Sequence, residues 1–158
     1  MYFNIFAVVD IIVLGVSMNK YINKIIELAK EAYNNNDIPV GAIVVKNNII
    51  IGSGFNKRNM KNSVIGHAEI EAIEEACNYI GDWRLDDCDI YVTLLPCMMC
   101  TGAIVESRIR KVYYLCDRTN VCFENSEYLN LVKIDNNKKC EEYLKLLQLF
   151  FENRRNKK

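Results

Sequence analysis

Apolar residues recur at helical spacing at Tyr21, Ile22, Ile25, Ile26, Ala29 and Tyr33, which predicts an amphipathic helix that stops in Asn34-Asn35-Asn36 ahead of Pro39. Two short apolar runs follow, at 42–45 and 49–52. Asn47-Asn48 separates them, a pair that tolerates the positive φ of a tight hairpin, so they read as two strands. The segment opened by His67 and running from Ala68 to Ala76 is rich in helix formers and acidic near its start, as a helix N-terminus prefers. Residues 90–95 are β-branched and apolar over a strand's length. Pro96 then suits the first turn of a helix continuing through Met98, Cys100, Ala103, Ile104 and Val105. A strand at 112–115 completes a strand–helix–strand unit, whose strands should be parallel with a right-handed crossover. A last helix is predicted from about Lys139 through Tyr143, Leu146, Leu147, Phe150 and Phe151. Helices flanking a mixed sheet give an α/β fold class with three α/β/α layers.

Residues 1–17 fit this plan poorly. They are almost wholly apolar, yet they have no positively charged start, no small-residue cleavage site and an aspartate, Asp10, in the middle. The run is interrupted and shorter than the roughly 20 residues a bilayer span needs. Met18-Asn19-Lys20 begins the amphipathic helix cleanly. The domain is therefore expected at 18–158, with 1–17 an upstream in-frame translation or, alternatively, an extra membrane or partner-binding strand. The 158 residues are 51% hydrophobic and 25% charged with two prolines, which suits one packed domain without linker or repeat. Twenty basic and twenty acidic residues cancel. Global charge therefore gives no support for a polyanionic partner, although Arg154, Arg155, Lys157 and Lys158 make a basic C-terminal end. A solvated helix terminus explains that end equally well.

The chemistry lies in two segments, His67-Ala68-Glu69 and Pro96-Cys97-Met98-Met99-Cys100. A zinc site that does chemistry uses three protein ligands and leaves the fourth tetrahedral position to water, whose pKa then falls to about 7. His67, Cys97 and Cys100 supply the three ligands. Glu69, two residues from the histidine, is placed to move the proton between that water and a leaving amine. Each half alone is ambiguous. A lone histidine is more often a satisfied core or surface residue, and a lone C-x-x-C serves equally as a redox pair or half a structural zinc site. No second C-x-x-C exists to complete a four-cysteine site. Together, in this order, they match the H-x-E…P-C-x-x-C arrangement of the zinc nucleobase deaminases. Both cysteines should sit in the first turn of their helix, where the dipole favours thiolates, so that two helix N-termini converge on one metal ion. The other five cysteines, Cys77, Cys88, Cys116, Cys122 and Cys140, read as reduced thiols in a cytoplasm.

The residues resemble one branch of the cytidine deaminase-like superfamily, the bacterial tRNA-specific adenosine deaminases. The resemblance rests on Ile38-Pro39-Val40-Gly41-Ala42, Gly54-Phe55-Asn56, His67-Ala68-Glu69-Ile70, Trp83-Arg84-Leu85, Tyr91-Val92-Thr93-Leu94, Pro96 through Ala103, Ser107-Arg108-Ile109 and Phe150-Phe151, in family order. It covers 18 to about 115 well. It implies hydrolytic conversion of the wobble adenosine of a tRNA anticodon to inosine, with one zinc ion per chain, water as co-substrate and release of ammonia. By the same resemblance Asn56 hydrogen-bonds the substrate nucleotide, Val40 lines the base pocket and Ala68 packs near the base. The peptide groups at Pro96-Cys97 orient the water. Apart from the resemblance, the candidates to reach the RNA are the C-terminal Phe150, Phe151, Arg154 and Arg155, the alternative being that both phenylalanines close the core, as helical spacing favours for at least one of them. A cytoplasmic homodimer with the anticodon loop lying across both subunits, and no membrane association, completes the expectation.

Two departures stand out. Leu95 replaces the family's usual glutamate before the Pro-Cys pair, and the stretch Asp117 to Phe123 looks shortened where the family usually carries a glycine-rich segment. Loops near active sites decide substrate choice. Two other readings therefore stay open: a deaminase of a free nucleobase or nucleoside of guanine, cytosine or cytidine type, and a non-catalytic zinc-bound RNA-binding subunit.

Overall fold

A computed structural model describes residues 5–119 and 124–156, with side chains from residue 15 onward. In chain order the elements are α1 (Ile5–Asn34), β1 (Gly41–Lys46), β2 (Ile49–Phe55), α2 (Arg58–Lys61), α3 (Ala68–Ile80), β3 (Asp89–Leu94), α4 (Met98–Glu106), β4 (Lys111–Cys116), β5 (Leu131–Lys133) and α5 (Asn137–Arg155). The sheet order is β2-β1-β3-β4-β5. The β1 strand is antiparallel to both neighbours, and β3, β4 and β5 run parallel. The hairpin between β1 and β2 turns at Asn47 and Asn48 with φ of 50° and 63°, the left-handed pair their side chains tolerate.

Alternation along β1 assigns the layers. A Cβ on Gly41 would meet the Ile25 carbonyl and Leu28 of α1, so that face carries α1. The register pairs Ala42 with Gly54 and Val44 with Gly52. A Cβ on either glycine would strike the α3 backbone, at Ala68 and Ala72 respectively, so the opposite face carries α3. These glycines let a helix lie against the strand backbone, and Ala68, Ala72 and Ala76 answer with small side chains, all buried. On the first face α5 joins α1 through Tyr33 against Phe150 and through the Lys30–Glu142 ion pair. On the second, α4 packs beside α3. The result is the expected three-layer α/β/α arrangement around a mixed sheet.

Several expectations change. The first helix does not begin near Met18 but at Ile5, so residues 5–17 extend α1 rather than form a strand. Val16 is exposed, and Gly15 has nothing near its Cβ position. Among the described residues no helix is long and apolar enough to cross a membrane. Pro96 lies just outside α4, with Cys97 as the N-cap at φ −76° and ψ 171°. A short α2, a 3-10 turn at Asn125–Glu127 and the three-residue β5 carry too little periodicity to be read from sequence. The shortened stretch 117–123 falls partly outside the described residues.

The cysteines also need correcting. Cys116, which ends β4, and Cys140, in the first turn of α5, are not two free thiols: their Cα atoms stand 5.7 Å apart and they form a disulfide. Sequence reading missed it because the contact arises only when α5 returns across the sheet. Cys77 and Cys88 are free as expected, and Cys122 lies outside the described residues. The bond closes a separation of 24 residues. Closing such a loop typically stabilises by about 2–4 kcal/mol. Reduction is therefore expected to lower the melting temperature by on the order of 10 °C, measured by scanning fluorimetry with and without reductant. An unchanged melting point alongside a mass gain of two hydrogens would mean that the bond contributes nothing.

Candidate active site

The sequence places His67 immediately before α3 and Cys97 immediately before α4, and both adopt extended N-cap geometry. The helices then run away side by side, so their N-termini meet. Asn56, at the end of β2, fixes the first of them: its Oδ1 accepts from the Ala68 backbone N–H at 2.9 Å, satisfying one of the orphan donors of α3. Asn125 fixes the second. It is buried, and its Nδ2 donates to the Pro96 carbonyl at 2.9 Å and to Thr101 Oγ1 at 2.8 Å, clamping the turn that carries Cys97.

His67 Nδ1 consequently lies 3.6 Å from Cys97 Sγ and 3.4 Å from Cys100 Sγ. All three donor atoms fall within 4.8 Å of one another, a group that could hold a metal ion. The geometry suits zinc in particular. A tetrahedral ion with Zn–S near 2.3 Å and Zn–N near 2.0–2.1 Å sets nitrogen and sulfur about 3.5 Å apart. Hydrogen bonding from Cys100 holds the Cys97 thiol down, to about 3, against the opposing effect of burial, so a thiolate stands ready at the α4 N-terminus. The same hydrogen bond, with burial, pushes the Cys100 thiol up. A bound cation would favour the thiolate form of both.

Glu69 sits on the first turn of α3 at 1% exposure. Burial raises its carboxyl above the ordinary value, the charge on Cys97 adds to this, and a bond to its own backbone opposes it. A cation in the triad would pull the other way. The carboxyl is lodged beside the donors without being one of them.

His67 and Glu69 open on a cavity of about 240 Å³ that Asn56 and Val40 also line, with Leu94, Leu147 and Phe151 as apolar walls. The Asn56 Nδ2 amide has no partner among the described residues. The remaining residues singled out from the sequence are placed as follows. Ala68 is fully buried, with its N–H taken by Asn56, and Pro96 is buried with its carbonyl taken by Asn125. Phe150 is a core residue at 3% exposure, edge-on to Tyr33, and it is Phe151, 44% exposed, that faces the cavity. The two phenylalanines point about 100° apart around the helix, and sequence spacing alone does not say which points inward. Arg154 stacks on Phe150 and lines a neighbouring cleft with Arg58 and Asn62. Arg58 and Arg118 line the main cavity and were not anticipated, because α2 and the chain after β4 show no periodic signal.

A donor triad of this composition beside a buried carboxylate, at paired helix N-termini on a five-stranded mixed sheet, defines a deaminase of the cytidine deaminase-like class. The chain belongs to the MafB19-like deaminase family, whose pattern it matches over residues 16–155. Among similar proteins, the tRNA-specific adenosine deaminase of Bacillus subtilis is 44% identical over 94 residues, covering 60% of this chain, and the chain spans only 58% of that protein's length. The protein of the same name from Buchnera aphidicola subsp. Schizaphis graminum is 38% identical over 137 residues, covering 82% of this chain and 91% of its own. A structure from work on A-to-I editing by tRNA:A34 deaminases superposes with a TM-score of 0.71 at 27% identity, covering 79% of this chain and 99% of that one. A guanine deaminase from Bacillus subtilis gives 0.61 at 34% identity, covering 71% of each.

Proposed function

We propose that this protein hydrolyses the 6-amino group of the wobble adenosine in a tRNA anticodon, giving inosine and ammonia. The observation that carries the reading is the convergence of His67, Glu69 and Asn56 on one cavity of about 240 Å³, in a chain similar to proteins of that name. His67 Nδ1, Cys97 Sγ and Cys100 Sγ would hold one Zn²⁺, which when bound supplies an acidified water as nucleophile. The base must leave the stack to reach the cavity floor. Asn56 Nδ2 donates a hydrogen bond to the base, and Val40, Leu94, Leu147 and Phe151 enclose its faces and exclude bulk water. Glu69 takes a proton from the water that adds at C6 and delivers it to the departing amine, so it ends as it began.

The guanine deaminase likeness supports a second reading, a free purine as substrate. An anticodon stem-loop bearing a wobble adenosine is incubated with zinc-loaded protein beside free adenosine, cytidine and guanine, with inosine and ammonia as readouts. The stem-loop is expected to be the preferred substrate by kcat/KM. Faster turnover of guanine would replace the first reading with the second.

The same proposal includes a cytoplasmic homodimer. Exposed Met98 and Val105 on α4, with Trp83 nearby in sequence to α3, offer apolar surface for the contact. Light scattering should give twice the chain mass, and a monomer at tens of micromolar would count against it.

A further inference from the structure

We propose that Arg118 grips a phosphate of the substrate at the mouth of the cavity, making the site one for a nucleotide within a phosphodiester chain. The inference rests on the deaminase reading above and names the chemical group that the rim recognises.

Arg118 follows β4 and is half-buried, lining the same cavity as His67, Glu69 and Asn56. Its Nε donates to the Leu95 carbonyl at 3.0 Å, one residue before Pro96. That bond fixes the plane of the guanidinium and leaves both terminal nitrogens without a hydrogen-bond partner among the described residues. No carboxylate among them forms an ion pair with Arg118. Of the two acidic residues lining the cavity, Asp117 is paired with Lys133, and Glu69 is buried at 1% exposure, feeling the Arg118 charge without forming an ion pair with it. Arg58, on α2, lines the same cavity and likewise lacks an ion-pair partner there.

In a chain of zero net charge, two guanidiniums on one rim that lack an ion-pair partner among the described residues are a local feature that global composition does not produce. A half-buried cation without counter-charge is costly to desolvate, and a ligand anion removes that cost. The free edge of a guanidinium matches two oxygens of a phosphate. A free base offers no such anion, whereas a nucleotide in an RNA loop offers one on either side of its ribose.

The test is a cycle between protein and substrate. Zinc-loaded wild type and Arg118→Ala are compared on the stem-loop with native phosphates and on two versions carrying a neutral methylphosphonate 5′ or 3′ of the wobble adenosine. Single-turnover rates and fluorescence anisotropy are the readouts. Neutralising the phosphate that Arg118 holds should weaken wild type by on the order of 10-fold or more, as for a charged hydrogen bond. Arg118→Ala should lose a similar factor on native RNA and then be indifferent to that methylphosphonate, while Arg118→Lys should fall between. Losses that multiply independently, or a wild type indifferent to both methylphosphonates, overturn the assignment even if Arg118→Ala does not fold. Absent turnover of native stem-loop sinks the tRNA reading but leaves the anisotropy cycle to decide Arg118, and absent binding of every stem-loop sinks both.

Discussion

Cys97→Ala is expected to cost the protein its zinc and much of its stability together. The two remaining donors, His67 Nδ1 and Cys100 Sγ, stand 3.4 Å apart. Two donors leave half the tetrahedral shell to water, and affinity should fall by more than the roughly 10–100-fold that loss of a mere supporting residue causes. Stability follows because a metal that binds only the folded state adds its binding free energy to folding. The N-termini of α3 and α4 would lose the ion proposed to join them, and the buried Cys100 thiol would lose its partner. Elemental analysis after exhaustive dialysis should show well under one equivalent, with a lower melting temperature than wild type. A full equivalent retained by Cys97→Ala would remove this cysteine from the ligand set.

What the sequence disclosed about this site follows from how locally each part is determined. His67, Glu69, Cys97 and Cys100 sit at fixed offsets on two helix starts, and the three donors His67, Cys97 and Cys100 named from that motif do lie within 4.8 Å of one another. The flanking strands were legible because β1 and β3 are β-branched runs buried on both faces. Residues supplied by irregular chain were not legible. Asn125 clamps the Cys97 turn from a three-residue 3-10 element, and Arg118 reaches the cavity from the chain after β4, positions that no periodicity marks. The Cys116–Cys140 bond depends on the packing of α5 against β4, a tertiary fact. Helical spacing admitted either Phe150 or Phe151 to the cavity, and only the orientation of α5 selected Phe151. The start of α1 also differed, because the clean amphipathic pattern begins only near Met18 while the helix itself begins at Ile5.

Glu69→Gln should separate proton transfer from every other role of that position. The substitution keeps the shape of a side chain that is 1% exposed, and it replaces a carboxyl whose burial already favours its neutral form. Packing in α3 should therefore survive, and the melting temperature should stay within a few degrees of wild type. The three metal donors are untouched, so zinc content should remain at one equivalent. An amide, however, cannot accept a proton from water and return it to an amine, so deamination of the preferred substrate should drop by about 10²-fold or more. The fall should appear in kcat with little change in KM, because the contacts proposed for Asn56 and the apolar walls do not involve the carboxyl. Zinc lost from Glu69→Gln would make Glu69 a ligand, and turnover close to wild type would take it out of the reaction altogether.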